Sequence, residues 1–188
     1  MAISVKQSSL QIIVSILLCM LFMLSCVTFW YQSSIVTDQN IVTDVTMLAS
    51  IFKKINEECE IVDFKFQRNN SIDYLQVISF EGSEIGSMAL KNPKKWQGPY
   101  LRDNLTAQGK FYQIIRTRDG HFIAPGDGVL LHNGKTIGKD IVFDHNANIP
   151  EMVKNPSKLQ FQGKPLAAKI DVGLQKSVVP VDELLMEG

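Results

Sequence analysis

Asp144, Asn146 and Asn148 place oxygen-bearing side chains at alternate positions of one short segment, with Asp127 and Asp140 close by in the sequence. Calcium loops draw their hard oxygen ligands from this kind of pattern. The twelve-residue EF-hand form is absent, because Ile149 stands where its glycine would be and no glutamate closes the loop. The same residue types build ordinary turns, so the segment reads either as a calcium loop or as turn chemistry. His121, His132 and His145 are widely spaced and lack both a paired cysteine and a His-x-x-x-His arrangement, which argues against zinc. Of the three cysteines, Cys19 and Cys26 fall in an apolar stretch and only Cys59 lies beyond it, so no disulfide can form within the remainder of the chain. Cys59 reads as a small buried apolar residue.

These groups need elements to position them, and the first is a membrane-type helix. Residues 7–37 carry no charge, and residues 10–31 are apolar except for Gln11, Ser15, Ser25 and Thr28. As a helix, that core is about 33 Å long, enough to cross a hydrocarbon layer of roughly 30 Å. A cleaved signal peptide has a shorter apolar region and a small-x-small site, whereas Phe29, Trp30 and Tyr31 prolong this one. Trp30 and Tyr31 suit the interfacial belt. Met23, Leu24, Ser25 and Cys26 are similar to a lipoprotein box, which offers lipidation of Cys26 as the competing fate. Lys6 precedes the span while Asp38 and Asp44 follow it, so the amino terminus is expected in the cytoplasm and residues from 32 onward outside.

The exported part reads as one domain of roughly 155 residues. The chain balances 19 basic against 19 acidic residues, which gives no electrostatic case for nucleic acid. Residues 32–60 contain no Pro or Gly, and Val45, Leu48, Phe52, Ile55 and Cys59 recur at spacings of three and four, so an amphipathic helix is predicted there. Its stripe faces either a sheet of the same chain or another subunit. Residues 61–67 alternate, residues 74–80 are rich in strand formers, and strand-like runs at 111–116, 121–124, 128–132 and 141–143 are separated by Asp119-Gly120, Pro125-Gly126 and Asn133-Gly134. Asn133-Gly134 is the strongest hairpin signal, and Asn69, Asn70 and Ser71 read as a turn. The predicted architecture is α+β, divided into a cytoplasmic end (1–9), an anchor (10–31), an amphipathic helix (32–60) and an antiparallel sheet (61–153). An irregular segment, 154–188, containing Pro156, Pro165 and Pro180, follows.

That order of parts resembles the type IV pilins and the pseudopilins of type II secretion. The local match is Trp96, Gln97, Gly98, Pro99, Tyr100 and Leu101, similar to the Gly-Pro-Tyr-Leu element of major pseudopilins, followed by Tyr112 and the Pro125-Gly126 turn. The segment also has a plain reading in which Pro99 fixes a turn and Trp96, Tyr100 and Leu101 pack on the helix. The resemblance implies a membrane-anchored structural or assembly component of a secretion or pilus-type system, with its anchor in the inner membrane and its domain in the periplasm or cell exterior. It further implies contacts with like subunits or secretion-apparatus proteins, placed here on Val45, Leu48, Phe52 and Ile55, and calcium in a sheet-adjacent loop. The family's cleavage glycine is absent from the residues before the apolar stretch, and residues 1–37 hold no carboxylate to stand for its conserved glutamate. An unprocessed anchor is therefore expected. Two other readings remain: a surface-anchored binding domain using loops such as residues 116–120, and an enzyme. The latter rests on Gly86-Ser87-Met88 and the segment around Lys139, which are similar to the serine and lysine boxes of signal peptidases. That likeness implies Ser87 as nucleophile and Lys139 or Lys135 as a base lowered by burial.

Overall fold

The computed structural model describes residues 2–65 and 71–173, with the side chains of residues 2–10, 30, 31, 33 and 34 left aside. The expected turn at Asn69 and Asn70, the belt placement of Trp30 and Tyr31, and the end of the C-terminal segment lie outside what is described. The dominant element is one helix, α1 (Ala2–Cys59), which runs without a break through the expected anchor and amphipathic segment. No glycine occurs before Gly82 and no proline before Pro93, so nothing in the sequence interrupts it. At 1.5 Å per residue it is about 87 Å long. It stops where Glu60 turns left-handed (φ 56°) and the Asn56 side chain accepts the Ile61 N–H at 3.0 Å.

The domain built on the C-terminal half of α1 is mixed helix and antiparallel sheet. Strands β1 (Ile61–Phe64), β2 (Glu84–Ile85) and β3 (Met88–Leu90) form one sheet in the order β1-β3-β2. Strands β4 (Thr106–Ala107), β5 (Lys110–Thr117) and β6 (Gly120–Pro125) form a second, completed by β9 (Ala168–Ile170) against β6. Between them lie a one-turn helix, α2 (Ile149–Met152), and a small hairpin of β7 (Gln160–Phe161) and β8 (Lys164–Pro165).

Several expectations are corrected. The single sheet over 61–153 is two sheets, and residues 74–80 contain a 3-10 turn (Asp73–Gln76) instead of a strand. Consecutive Tyr74 and Leu75 are both buried, which a strand with alternating faces cannot provide. The alternation of 61–67 breaks at a bulge between Ile61 and Asp63, so Ile61 and Phe64 are the buried pair. Residues 128–143 make only isolated bridges, Leu130 to Thr136 and Ile137 to Ile141. The Asn133-Gly134 turn does form: Gly134 donates to the Leu131 carbonyl at 3.0 Å, and Leu131 donates to Lys135 at 2.9 Å. The segment beginning at 154 is not irregular throughout, because Ala168 and Ile170 supply the edge strand that pairs His121 with Ile170.

The expected subunit-contact residues are also corrected. Val45, Leu48, Phe52 and Ile55 are completely buried within the chain's own domain, with Phe52 meeting Phe64 edge-to-face at 5.8 Å. The two sheets and the β7–β8 hairpin supply this cover. A stripe already enclosed has no surface left for another subunit.

Candidate functional site

The N-terminal half of α1 is apolar and bare. The stretch Gln11–Phe29 is long and apolar enough to cross a membrane, and none of it is buried by the domain. Its Leu, Ile, Met and Phe side chains keep more than half their surface, Phe22 and Phe29 reaching 72%. A helix that hides its backbone bonds internally and presents hydrocarbon on all sides suits lipid. Thr28, inside this stretch, satisfies its hydroxyl by donating to the Leu24 and Ser25 carbonyls at 3.1 and 2.9 Å. Cys19 and Cys26 are both exposed on it, while Cys59 is buried.

Beyond the anchor the outward face of α1 stays uncharged until Lys53. It carries Val36, Gln39, Asn40, Thr43, Thr46, Met47 and Ser50, and Thr43, Thr46 and Ser50 donate their hydroxyls to carbonyls three or four residues back at 3.1, 2.7 and 2.6 Å. The carboxylates of this stretch both turn inward. Asp44 accepts the Tyr112 hydroxyl at 2.7 Å, and Asp38 meets His132. Burial, with the Asp44 contact adding to it, pushes the Tyr112 hydroxyl far above its ordinary value. Neither pairing is visible in the sequence, since 68 and 94 residues separate the partners.

The Trp96 to Leu101 segment folds into a cradle under the C-terminal end of α1. Trp96 donates its indole N–H to the Val77 carbonyl at 3.0 Å and meets Phe80 and Tyr100 edge-on at 5.5 and 4.8 Å. The backbone N–H groups of Tyr100 and Leu101 both donate to Leu75, at 2.8 and 3.1 Å. Tyr100 reaches α1 through Glu58 at 3.4 Å, with the Lys54 ammonium 5.8 Å from its ring centre. Burial pushes the Tyr100 hydroxyl up to about 12 against the opposing hydrogen bond from the Gln97 N–H. Gly98, before the cis bond to Pro99, has no room for a side chain: a Cβ would fall 2.2 Å from the Val77 carbonyl and 2.4 Å from the Trp96 indole nitrogen. Gly98→Ala is expected to lower stability by about 1–3 kcal/mol through overpacking. The midpoint of urea unfolding measures this, and an unchanged midpoint would show that the cradle yields freely. Tyr112 pairs with Pro125 across β5 and β6, and a Cβ on Gly126 would strike the Phe111 carbonyl at 2.2 Å. These residues therefore shape the domain.

Of the oxygen ligands proposed for calcium, Asp144 and Asn148 accept backbone N–H groups. Asp144 accepts the Asn146 N–H at 2.9 Å, and Asn148 caps α2 by accepting the Glu151 N–H at 3.0 Å. Asp140 accepts the Thr136 N–H at 2.8 Å, and Asp127 is bonded to Gln113 at 3.3 Å beside a cleft of about 380 Å³ lined by Lys110, Phe111 and Gln113. Turn and cap formation thus engages Asp140, Asp144 and Asn148. Among the described residues no three His, Cys, Asp or Glu side chains gather at metal-holding distance.

The serine–lysine arrangement is likewise not assembled. Ser87 is buried in the tight turn between β2 and β3, and its Oγ has no hydrogen-bond partner. Lys139 is exposed in the loop after β6. Ser87 makes no hydrogen bond to Lys139 or Lys135, so the contact that would activate it is not formed. In the 116–120 loop, Arg116 is tied to Asp63 at 3.3 Å, and Thr117 closes the turn on Gly120 at 3.2 Å. Comparison with protein-family models, with curated proteins and with solved structures finds no match to the chain.

Proposed function

We propose that this protein is a single-pass, membrane-anchored structural subunit of a secretion or pilus-type assembly, with its amino terminus in the cytoplasm and its domain exported. The observation that carries the reading is the two-part use of α1: one unbroken helix is bare hydrocarbon over Gln11–Phe29 and the central wall of a folded domain from Ile41 to Cys59. Such a helix couples domain and membrane without a flexible joint. With the apolar stripe enclosed, contacts between subunits fall to the outward face, where uncharged side chains, with the Thr43, Thr46 and Ser50 hydroxyls satisfied within the helix, allow close approach of another helix.

Cysteine cross-linking in native membranes tests this. With Cys19 and Cys26 changed to alanine, single substitutions Val36→Cys, Thr43→Cys and Met47→Cys are expected to give dimers on mild oxidation. Monomers at all three positions would favour a surface-anchored binding domain that acts alone.

A further inference from the structure

Asp38 is a fully buried carboxylate with one neighbour able to balance it. Its Oδ2 accepts the backbone N–H of His132 at 3.3 Å and contacts that residue's Nδ1, while its Oδ1 has no partner. His132 comes from the hairpin that turns at Asn133 and Gly134. The Asn133 amide clamps this hairpin by donating to the carbonyls of Pro156 and Lys158 at 3.2 and 3.0 Å, and Phe161 lies edge-on to the imidazole at 4.9 Å. Among the described residues Asp38 is the first buried side chain along α1, whereas Val36 is 59% exposed. The pair thus marks the neck where the helix leaves the domain.

We propose that Asp38 and His132 form a proton-controlled latch at this neck, which holds the surrounding turn of α1 against the domain when the pair carries a proton and loosens when it carries none. Without a proton to share, the pair is an imidazole beside a carboxylate and keeps a net negative charge out of water. One proton, on either group, leaves no net charge. Burying an uncompensated charge costs far more than burying a balanced pair.

Among the described residues, no other ionisable side chain is paired with Asp38. Along α1 no charged residue lies between Lys6 and Asp38, and Asp44 is engaged with Tyr112. In the hairpin and the segment beneath it, Lys135 and Lys158 take part through backbone groups, and Lys164 on β8 is exposed. Burial raises the Asp38 carboxyl above its ordinary value against the opposing pull of His132, in the direction the latch requires. A group held above its ordinary value stabilises the docked neck at low pH, and that stability is lost as pH rises through the docked-state value. The His132 side chain, 26% exposed, gives the proton a route to solvent.

Hydrogen exchange on the full chain in neutral detergent micelles, expressed as protection relative to intrinsic rates, tests the latch. Protection of amides 36–42 is expected to fall about tenfold as pH is raised through the pair's titration, while amides around Phe52 hold. Asp38→Asn keeps an oxygen for the His132 N–H and removes the titrating charge, so its protection is expected to be flat with pH. A flat wild-type response, a rise in protection with pH, or a slope that persists in Asp38→Asn would overturn the latch. If Asp38→Asn also loses protection around Phe52, His132→Gln decides. There no imidazole shares the proton with the carboxylate, so the pH at which the neck loosens is expected to move; an unmoved response would overturn the proposal.

Discussion

Phe52→Ala is expected to destabilise the domain by about 3–5 kcal/mol, the usual cost of removing a fully buried aromatic side chain. Phe52 is completely enclosed, it meets Phe64 edge-to-face, and it sits midway along the stripe that joins α1 to the domain. The surrounding side chains come from a rigid helix and from short strands pinned by hydrogen bonds, so collapse into the void is limited. A domain of ordinary stability holds about 5–15 kcal/mol, which makes the loss a large fraction of the total. Urea unfolding of the full chain in neutral detergent measures it. Met47→Ala, on the exposed face of the same helix, is the control and is expected to change stability by less than about 0.5 kcal/mol. Equal effects from the two would mean that the stripe is not the core.

Placing arginines at the middle of the bare helix has the second large effect, on location instead of folding. Each arginine at the centre of a span opposes insertion by about 2.5–3.5 kcal/mol, so Met20→Arg with Leu21→Arg adds roughly 5–7 kcal/mol. Met20 and Leu21 are 65% and 58% exposed, clear of the domain, so the domain should fold as before. The double variant is expected to leave the carbonate-resistant membrane fraction and appear in the soluble one. Retention in the membrane would point to attachment by other means, and adding Cys26→Ala would show whether a lipid on that thiol provides it.

How far the sequence foretold this architecture depended on the range of the interactions involved. The anchor and the stripe from Val45 to Cys59 were legible because helical periodicity is local, and the absence of Gly and Pro before residue 82 allowed the unbroken rod. The Asn133-Gly134 turn was legible for the same reason. Residues 74–80 were misread because β-rich composition does not reveal that Tyr74 and Leu75 both face the core, a demand that arises only from the packed fold. Ala168 to Ile170 were missed because their pairing partner, β6, lies more than 40 residues earlier. Asp144 and Asn148 were open to two readings in the sequence, because oxygens that suit a cation equally suit a turn and a helix cap, and the folded chain shows the turn and the cap formed. Asp38 and His132 carried no local signal at all.

The junction at the end of α1 bears on how the protein is made. Asn56 donates to the Gly173 carbonyl at 2.8 Å, and Gly173 returns an N–H to Ile61 at 2.9 Å, so the lower end of the helix is sealed by residues 117 positions further along the chain. The helix emerges from the ribosome before the strands, and its apolar stripe stays uncovered until β9 and residue 173 have followed. Folding of the domain is thereby deferred until residue 173 has been made, and over that interval the nascent chain carries two adjacent hydrophobic segments, one destined for lipid and one for its own core.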